Sequence, residues 1–317
     1  MPAIVFFVVP CYNDEETLPV SVPVFLEKLK SLITAGTVSE KSRLLLINDG
    51  SADRTWDTIV ALQQQNKDRI TGMNLAGNFG QHGALLAGMS FARDRADCVI
   101  TIDSDLQDDI DAADKMIAYY YSGKDVVFGV RNDRRSDGLV EKIGTRAFYF
   151  LMKAAKTGLV NEHANYQLLS KKAMDRLLDE LPANYFLPCA VSRLRLPSAV
   201  VEYRRFTRVA GKTGYSLFKK AELAKNAVFS YSAFPLKCIS LAGILSLFCA
   251  VACFLVFMFT KRATAPEYWL LLTVICLFGA GIFFALRIVG EYSHKAFEEA
   301  KKTKKYQIDS IVETGES

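Results

Sequence analysis

Val99-Ile100-Thr101-Ile102-Asp103-Ser104-Asp105-Leu106-Gln107-Asp108 is an apolar run that ends abruptly in carboxylates. A strand buried on both faces cannot carry bare charges inside the sheet, so acids placed where it leaves the sheet point into the crevice where α/β proteins bind ligands. Two carboxylates one residue apart suit a hard divalent cation. Mg²⁺, or Mn²⁺ with similar oxygen preferences, takes one or two protein carboxylates and fills its other positions with water and substrate phosphates. Asp-Ser-Asp is also ordinary turn chemistry, with Asp108 or Asp109 placed to cap a helix starting near Ile110. The rest of the chain decides between the two.

The four other strand-like runs, Ala3–Val9, Leu44–Ile47, Ile70–Leu75 and Asp125–Val130, alternate with helical stretches at Glu16–Ile33, Thr55–Gln65, Gln81–Arg93 and Ala112–Tyr121. This order predicts an α/β fold, a mostly parallel sheet covered by helices on both faces, with the site in loops at the carboxyl ends of the strands. Those loops are polar: Pro10-Cys11-Tyr12-Asn13-Asp14-Glu15, then Asn48-Asp49-Gly50-Ser51-Ala52-Asp53-Arg54-Thr55, the Asp103 loop, and Arg131 with Arg134 and Arg135. Each alone reads as a turn or a helix cap. Four on one sheet edge point to a nucleotide-diphosphate site. Further on, Arg205 and Arg208 precede a Gly-containing turn and could clamp phosphates through charge-assisted forks, or simply form a solvated basic face.

The chain has 317 residues, 50% of them hydrophobic, and a net charge of +5, too mild to argue for a nucleic acid partner. Apolar residues gather in two runs, Cys238 to Thr260 and Tyr268 to Val289, each about the length that crosses a bilayer. Their separation by only Lys261–Glu267 predicts a two-helix transmembrane hairpin. Lysines at its outer ends place the N-terminal domain and the C-terminus in the cytoplasm, on a cell (inner or plasma) membrane. Residues 217–234 mix lysines with Phe218, Leu223, Val228 and Phe229, as an amphipathic interfacial helix does. The N-terminus lacks a positive region and reads as a first strand rather than a signal peptide. Seven cysteines without a Cys-x-x-Cys pair or a His cluster fit a reduced compartment without zinc. The expected organisation is a catalytic domain over residues 1–215, a juxtamembrane helix over 216–235, two spans over 236–292 and a tail over 293–317.

These residues resemble the family 2 glycosyltransferases that move a sugar from a nucleotide to a polyprenyl phosphate, particularly the bactoprenol glucosyltransferases and the enzymes similar to dolichol-phosphate mannose synthase. Val9-Pro10-Cys11-Tyr12-Asn13-Asp14-Glu15-Glu16 is similar to the family's opening V-P-x-Y-N-E-E, and Asn48-Asp49-Gly50-Ser51-x-Asp53-x-Thr55 to its D/N-D-G-S-x-D-x-T loop. Asn78-Phe79-Gly80 matches its N-F-G, and Asp103–Asp108 its D-x-D-L-Q-D. Ser232–Leu236 and Gly290-Glu291-Tyr292 match patterns that flank the spans.

The resemblance implies a GT-A fold in which Pro10, Tyr12, Asp14 and Asp49 hold the nucleoside, and Asp103 and Asp105 hold Mg²⁺ or Mn²⁺ beside Ser104 and Gln107. Arg131, Arg205 and Arg208 would meet phosphates. It implies a nucleotide-sugar donor, UDP-linked in this subgroup, a polyprenyl phosphate acceptor such as undecaprenyl phosphate, and a homo-oligomer at a lipid bilayer. Its G-D-F-R-L segment appears as Ala164-Asn165-Tyr166-Gln167-Leu168, which puts Asn165 where the family has a catalytic acid, and the lysine of its R-x-A-G-x-S-K is Gly214. An inverting transferase with Asp105, Asn165 and Arg205 in catalytic positions is the expected activity, for cell-envelope glycan or glycoconjugate synthesis. A polysaccharide synthase using the same donor, or a scaffold with a degenerate transferase domain, are the other readings.

Overall fold

The computed structural model describes residues 1–131, 163–181, 185–204, 206, 266–300 and 305–313. Expected features at Arg134, Arg135, Arg205, Arg208 and Gly214, the juxtamembrane helix and the first apolar run all lie outside these residues.

The described elements are β1 (Val5–Cys11), α1 (Leu18–Thr34), β2 (Arg43–Asn48), α2 (Thr55–Gln65), β3 (Ile70–Leu75), α3 (Gly80–Ala92), β4 (Cys98–Thr101), α4 (Ala112–Tyr121), β5 (Val126–Arg131), β6 (His163–Ser170), α5 (Lys171–Glu180), α6 (Leu187–Ser192), β7 (Ser198–Tyr203), α7 (Pro266–Ala300) and β8 (Ile308–Val312). The sheet runs β7-β5-β6-β4-β1-β2-β3-β8. Only β6 and β8 run antiparallel to their neighbours. The fold is the expected GT-A type α/β architecture.

Period-two alternation in the strands builds two cores. Val5, Phe7 and Val9 of β1, with Leu44 and Leu46 of β2, face one hydrophobic layer, whereas Phe6, Val8, Leu45 and Ile47 face the other. On the first face α1 buries Leu18, Val22, Phe25, Leu29 and Leu32, a spacing of four and three that keeps one stripe of the helix on the sheet. On the second face α3 is buried almost all round, from Gly83 to Met89, because α5 and the sheet enclose it. Each such aliphatic or aromatic side chain contributes about 1.5–3 kcal/mol on burial. Lys28 joins α1 to Asp111 and Asp114 at α4, and Arg93 joins α3 to Asp175 and Asp179 on α5. Both pairings are partly solvated and orient helices more than they stabilise them.

The expected transmembrane hairpin and its cell-membrane localisation need correction. Among the described residues no helix is long and apolar enough to cross a membrane. The run from Tyr268 to Val289 is not set off as a separate unit: it lies within the 35-residue α7, which continues past Val289 through Glu291, His294, Lys295, Glu298 and Glu299. The segment after α7 returns to the sheet as β8, on the outer edge of β3.

Candidate functional site

The sheet order places β4 and β2 on either side of β1, so the chain leaves β1 and β4 in opposite directions in sequence and opens a crevice at their carboxyl ends. The loops after β1, β2, β3 and β4 meet there through side chain to backbone hydrogen bonds.

Asn13 sits at φ 54°, a left-handed turn that Asn tolerates, and its amide oxygen accepts from Ala52 N at 2.9 Å while Ser51 Oγ accepts from Asn13 N at 3.0 Å. Asp14 N donates to Thr55 Oγ1 at 2.8 Å, and Thr55 is held in turn by Asp53, whose other oxygen accepts from Glu15 N at 3.2 Å. Asp53 is thus a strut between two loops. Ser104 Oγ donates to Asp14 Oδ2 at 2.8 Å, tying the β1 loop to the β4 loop. Pro10 lies half-buried at the end of β1, and Tyr12 is exposed beside the crevice.

Asp49 is almost fully buried at the end of β2. Its carboxylate accepts from Phe79 N at 2.8 Å, so the Asn78-Phe79-Gly80 turn after β3 serves Asp49 directly. Burial raises its pKa to about 6, against the lowering effect of the Phe79 and Gly80 N–H groups. Gly50, at φ +61°, presses against the Gly77–Asn78 backbone, where a Cβ would lie 2.3 Å from Gly77 C. Only glycine fits, by space and by dihedral alike.

Asp103, half-buried, accepts a hydrogen bond from Gln81 of α3. Its pKa is pushed up to about 7 by burial first and then by the charges of Asp108 and Asp105, with Arg131 opposing. Asp105 is buried and accepts from Gln107 N at 3.1 Å, across Leu106 at φ 54°. A left-handed leucine between them is strained and is held by the loop around it. Asp103 and Asp105 are oxygen donors in a region with surplus negative charge, which fits a hard divalent cation. Among the described residues no group of three or more His, Cys, Asp or Glu side chains is arranged to hold a metal. A cation there would complete its coordination with water and phosphate oxygens.

Asp108 does not cap a helix. It accepts from Tyr203 OH at 2.7 Å and from Arg131 at 3.3 Å, while Arg131 Nε donates to Tyr203 OH at 3.2 Å. This closed triangle sits where β5 and β7 end side by side, in the register Arg131↔Tyr203. Burial disfavours the charge on Arg131, but the charge of Asp108 and the bond to Tyr203 raise its pKa overall. Asp109 instead makes a turn, accepting from Asp111 N at 3.0 Å. On β6, whose pairing with β4 ends at Thr101↔Gln167, Asn165 lies two residues before Gln167 and its backbone oxygen accepts from Thr101 Oγ1. Gln167 is buried within the sheet.

Pro10, Tyr12, Asp14, Asp49, Asp103, Ser104, Asp105, Gln107, Arg131 and Asn165 all lie at or next to one end of the sheet. Gln81, Asp108 and Tyr203 were missed as site neighbours. Gln81 follows the N-F-G turn and Asp108 ends the D-x-D-L-Q-D run, so both lay beside visible motifs; Tyr203 carried no signal.

Fold and site together define an α/β domain of glycosyltransferase type, with acidic and amide groups at the carboxyl edge of a mostly parallel sheet. The chain belongs to Glycosyl transferase family 2, whose sequence profile matches residues 6–178. It is 36% identical over 304 residues to the uncharacterized glycosyltransferase YkoT of Bacillus subtilis (strain 168), covering 95% of this chain and 90% of that protein. It is 30% identical over 308 residues to the bactoprenol glucosyl transferase of Shigella phage SfV, covering 95% and 96%. A prophage bactoprenol glucosyl transferase homolog of Escherichia coli (strain K12) is 29% identical over 310 residues, covering 96% and 98%.

Proposed function

We propose that the protein transfers a sugar, with inversion, from a nucleotide-sugar donor to a polyprenyl phosphate. The observation that carries this reading is the convergence of the buried Asp49 and the Asp103–Asp105 pair on one crevice, in a chain about as long as its bactoprenol glucosyl transferase relatives. Pro10, Tyr12, Asp14 and Asp49 hold the nucleoside. Mg²⁺ or Mn²⁺ bound by Asp103 and Asp105 would supply Lewis-acid stabilisation of the charge that builds on the leaving diphosphate. Arg131 faces the same phosphates, and Arg205 and Arg208 are assigned to phosphate by the family motif alone. Ser104 and Gln107 shape the loop that presents the carboxylates.

The acceptor phosphate attacks the anomeric carbon from the face opposite the departing diphosphate. Its second pKa lies near about 6, so it is largely a dianion at neutral pH and needs no strong general base. Asn165, beside Thr101 at the end of β4, orients that dianion without the repulsion a carboxylate would add. The acceptor's polyprenyl chain resides in a lipid bilayer. α7 leaves Leu271, Ile275, Phe278 and Ile282 exposed at spacings of four and three, an apolar stripe that such a chain or surface would cover.

The test is incubation of purified protein with undecaprenyl phosphate and radiolabelled UDP-glucose, UDP-GlcNAc, UDP-galactose and GDP-linked sugars, with and without EDTA. One donor is expected to give lipid-linked sugar that EDTA abolishes. No product from any donor overturns the reading, and absence of nucleotide binding in a UDP and Mn²⁺ titration would favour the scaffold instead.

A pH dependence follows from Asp49. Its pKa of about 6 stands above the ordinary carboxyl value of roughly 3.9, so ionisation costs the folded state stability as pH climbs between them, a cost complete above pH 6. A nucleoside N–H donor favours the ionised form. UDP affinity is therefore expected to fall as pH drops through about 6. In Asp49→Asn this part of the pH dependence disappears, and the difference between the two titration series, from pH 5 to 8 by calorimetry, cancels the nucleotide's own phosphate ionisation. Parallel series would refute the assignment.

A further inference from the structure

The segment after α7 is a strand of the sheet that touches the end of β3 directly and reaches the turn containing Asp49 through Asn74. β8 pairs antiparallel with β3 in the register Met73↔Ile311 and Asn74↔Ser310, with an irregularity at Asn74/Leu75. Just beyond it, Ala76 N donates to Gln307 O at 2.9 Å, where the chain turns toward Asn78-Phe79-Gly80. A line of side chains runs inward from the surface: Asn74 Nδ2 donates to Asp309 Oδ2 at 3.1 Å, and Asn48 Nδ2 donates to Asn74 Oδ1 at 2.7 Å. Asn48, almost fully buried, in turn accepts from Ser51 N at 3.3 Å across the turn that contains Asp49.

The body of the domain is shaped to receive this strand. A Cβ on Gly72 would lie 2.6 Å from Ile59 Cγ2 and 2.7 Å from Val312 Cγ2, and one on Gly83 would lie 2.7 Å from Phe79 Cβ and 3.1 Å from Lys305 O. Glycine inside a strand marks close approach, and at Gly72 the C-terminal segment is one of the two groups that approach. Tyr306 packs on the second hydrophobic layer, and Lys305 Nζ donates to Leu181 O. Without β8, β3 would be an open edge strand whose end, at Asn74 to Ala76, supports the turn that hydrogen-bonds Asp49.

We infer that the C-terminal strand is part of the donor-site scaffold, with Asn74 and Asp309 acting as positioning residues that set the Asn48–Ser51 and Ala76–Phe79 loops for the nucleotide. Neither residue reaches the crevice; both act through Asn48 and the β3 end.

The inference rests on the donor reading above, and the experiment separates them. UDP and GDP are titrated with MnCl₂ into the full-length chain, Asn74→Ala, Asp309→Ala, Asp309→Asn and a chain ending at Lys304, with donor KM and kcat measured in parallel. Loss of a single net hydrogen bond predicts about two- to fivefold weaker nucleotide binding for Asp309→Ala, and about tenfold for Asn74→Ala, which strands a buried amide. KM rises and kcat stays. Asp309→Asn, whose amide oxygen still accepts from Asn74, restores affinity. The shortened chain weakens most, and a synthetic peptide of residues 305–317 restores binding by adding the strand back. If the unaltered chain binds and every variant binds equally, the inference is overturned. If the unaltered chain binds neither nucleotide, the donor reading fails.

Discussion

Asp103→Asn is expected to lower sugar transfer by about 10²–10³-fold while making the folded protein more stable at pH 8. The loss of activity is the size seen when one fixed electrostatic group at developing charge is removed. The gain in stability comes from the same charge. Asp103 has its pKa raised to about 7 by burial and by Asp108 and Asp105, against roughly 3.9 in an unfolded chain. Between those values the folded state binds more protons than the unfolded one, so stability falls as pH rises and the full cost is present above about pH 7. An amide removes that cost and still accepts from Gln81. Calorimetric Tm values should separate the two proteins at pH 8 and converge near pH 4, alongside transfer rates with Mn²⁺. Equal Tm differences at both pH values would refute the electrostatic account, and retained activity would refute the metal assignment.

Arg131→Ala is expected to destabilise the domain by about 3–5 kcal/mol, because it leaves the carboxylate of Asp108 buried with its charge uncompensated. Asp108's side chain is 2% exposed and Arg131's 28%, so the cost falls mainly on the acid. Adding Asp108→Asn to Arg131→Ala should recover a large part of the loss, since the amide still accepts from Tyr203 OH and carries no charge. Denaturant melts of both single variants and the double variant measure this coupling. Transfer activity would fall in all three, as the guanidinium on the phosphate side of the crevice is missing or displaced. A double variant no more stable than Arg131→Ala would show that the triangle is not held by charge.

The Asp103 run and its neighbours were legible in the sequence because each is a local pattern. An apolar run ending in carboxylates, a Gly-containing turn after Asn48, and helices with stripes such as Leu18, Val22, Phe25, Leu29 and Leu32 depend on residues a few positions apart. Asp53 and Asp108 were harder. Each has the composition of a helix cap, yet Asp53 gives one oxygen to Thr55 at the start of α2 and the other to the distant Glu15 backbone, and Asp108 serves Arg131 and Tyr203. The apolar run within α7 misled for the opposite reason. Hydropathy measures composition over a window, whereas the helix boundaries and the return of the chain as β8 depend on what it packs against.

The sequence by itself determined the family, the alternation of strands and helices, and the identity of most side chains at the crevice, since periodicity and short motifs are encoded within each segment. Only the tertiary structure decided that Asn165 sits beside Thr101, that Asp108 closes a triangle with Arg131 and Tyr203, and that residues 308–312 complete the sheet beside Asn74. Those are pairings between residues 23 to 235 positions apart, set by strand register and burial. Local sequence patterns carry no record of which distant segment supplies the partner.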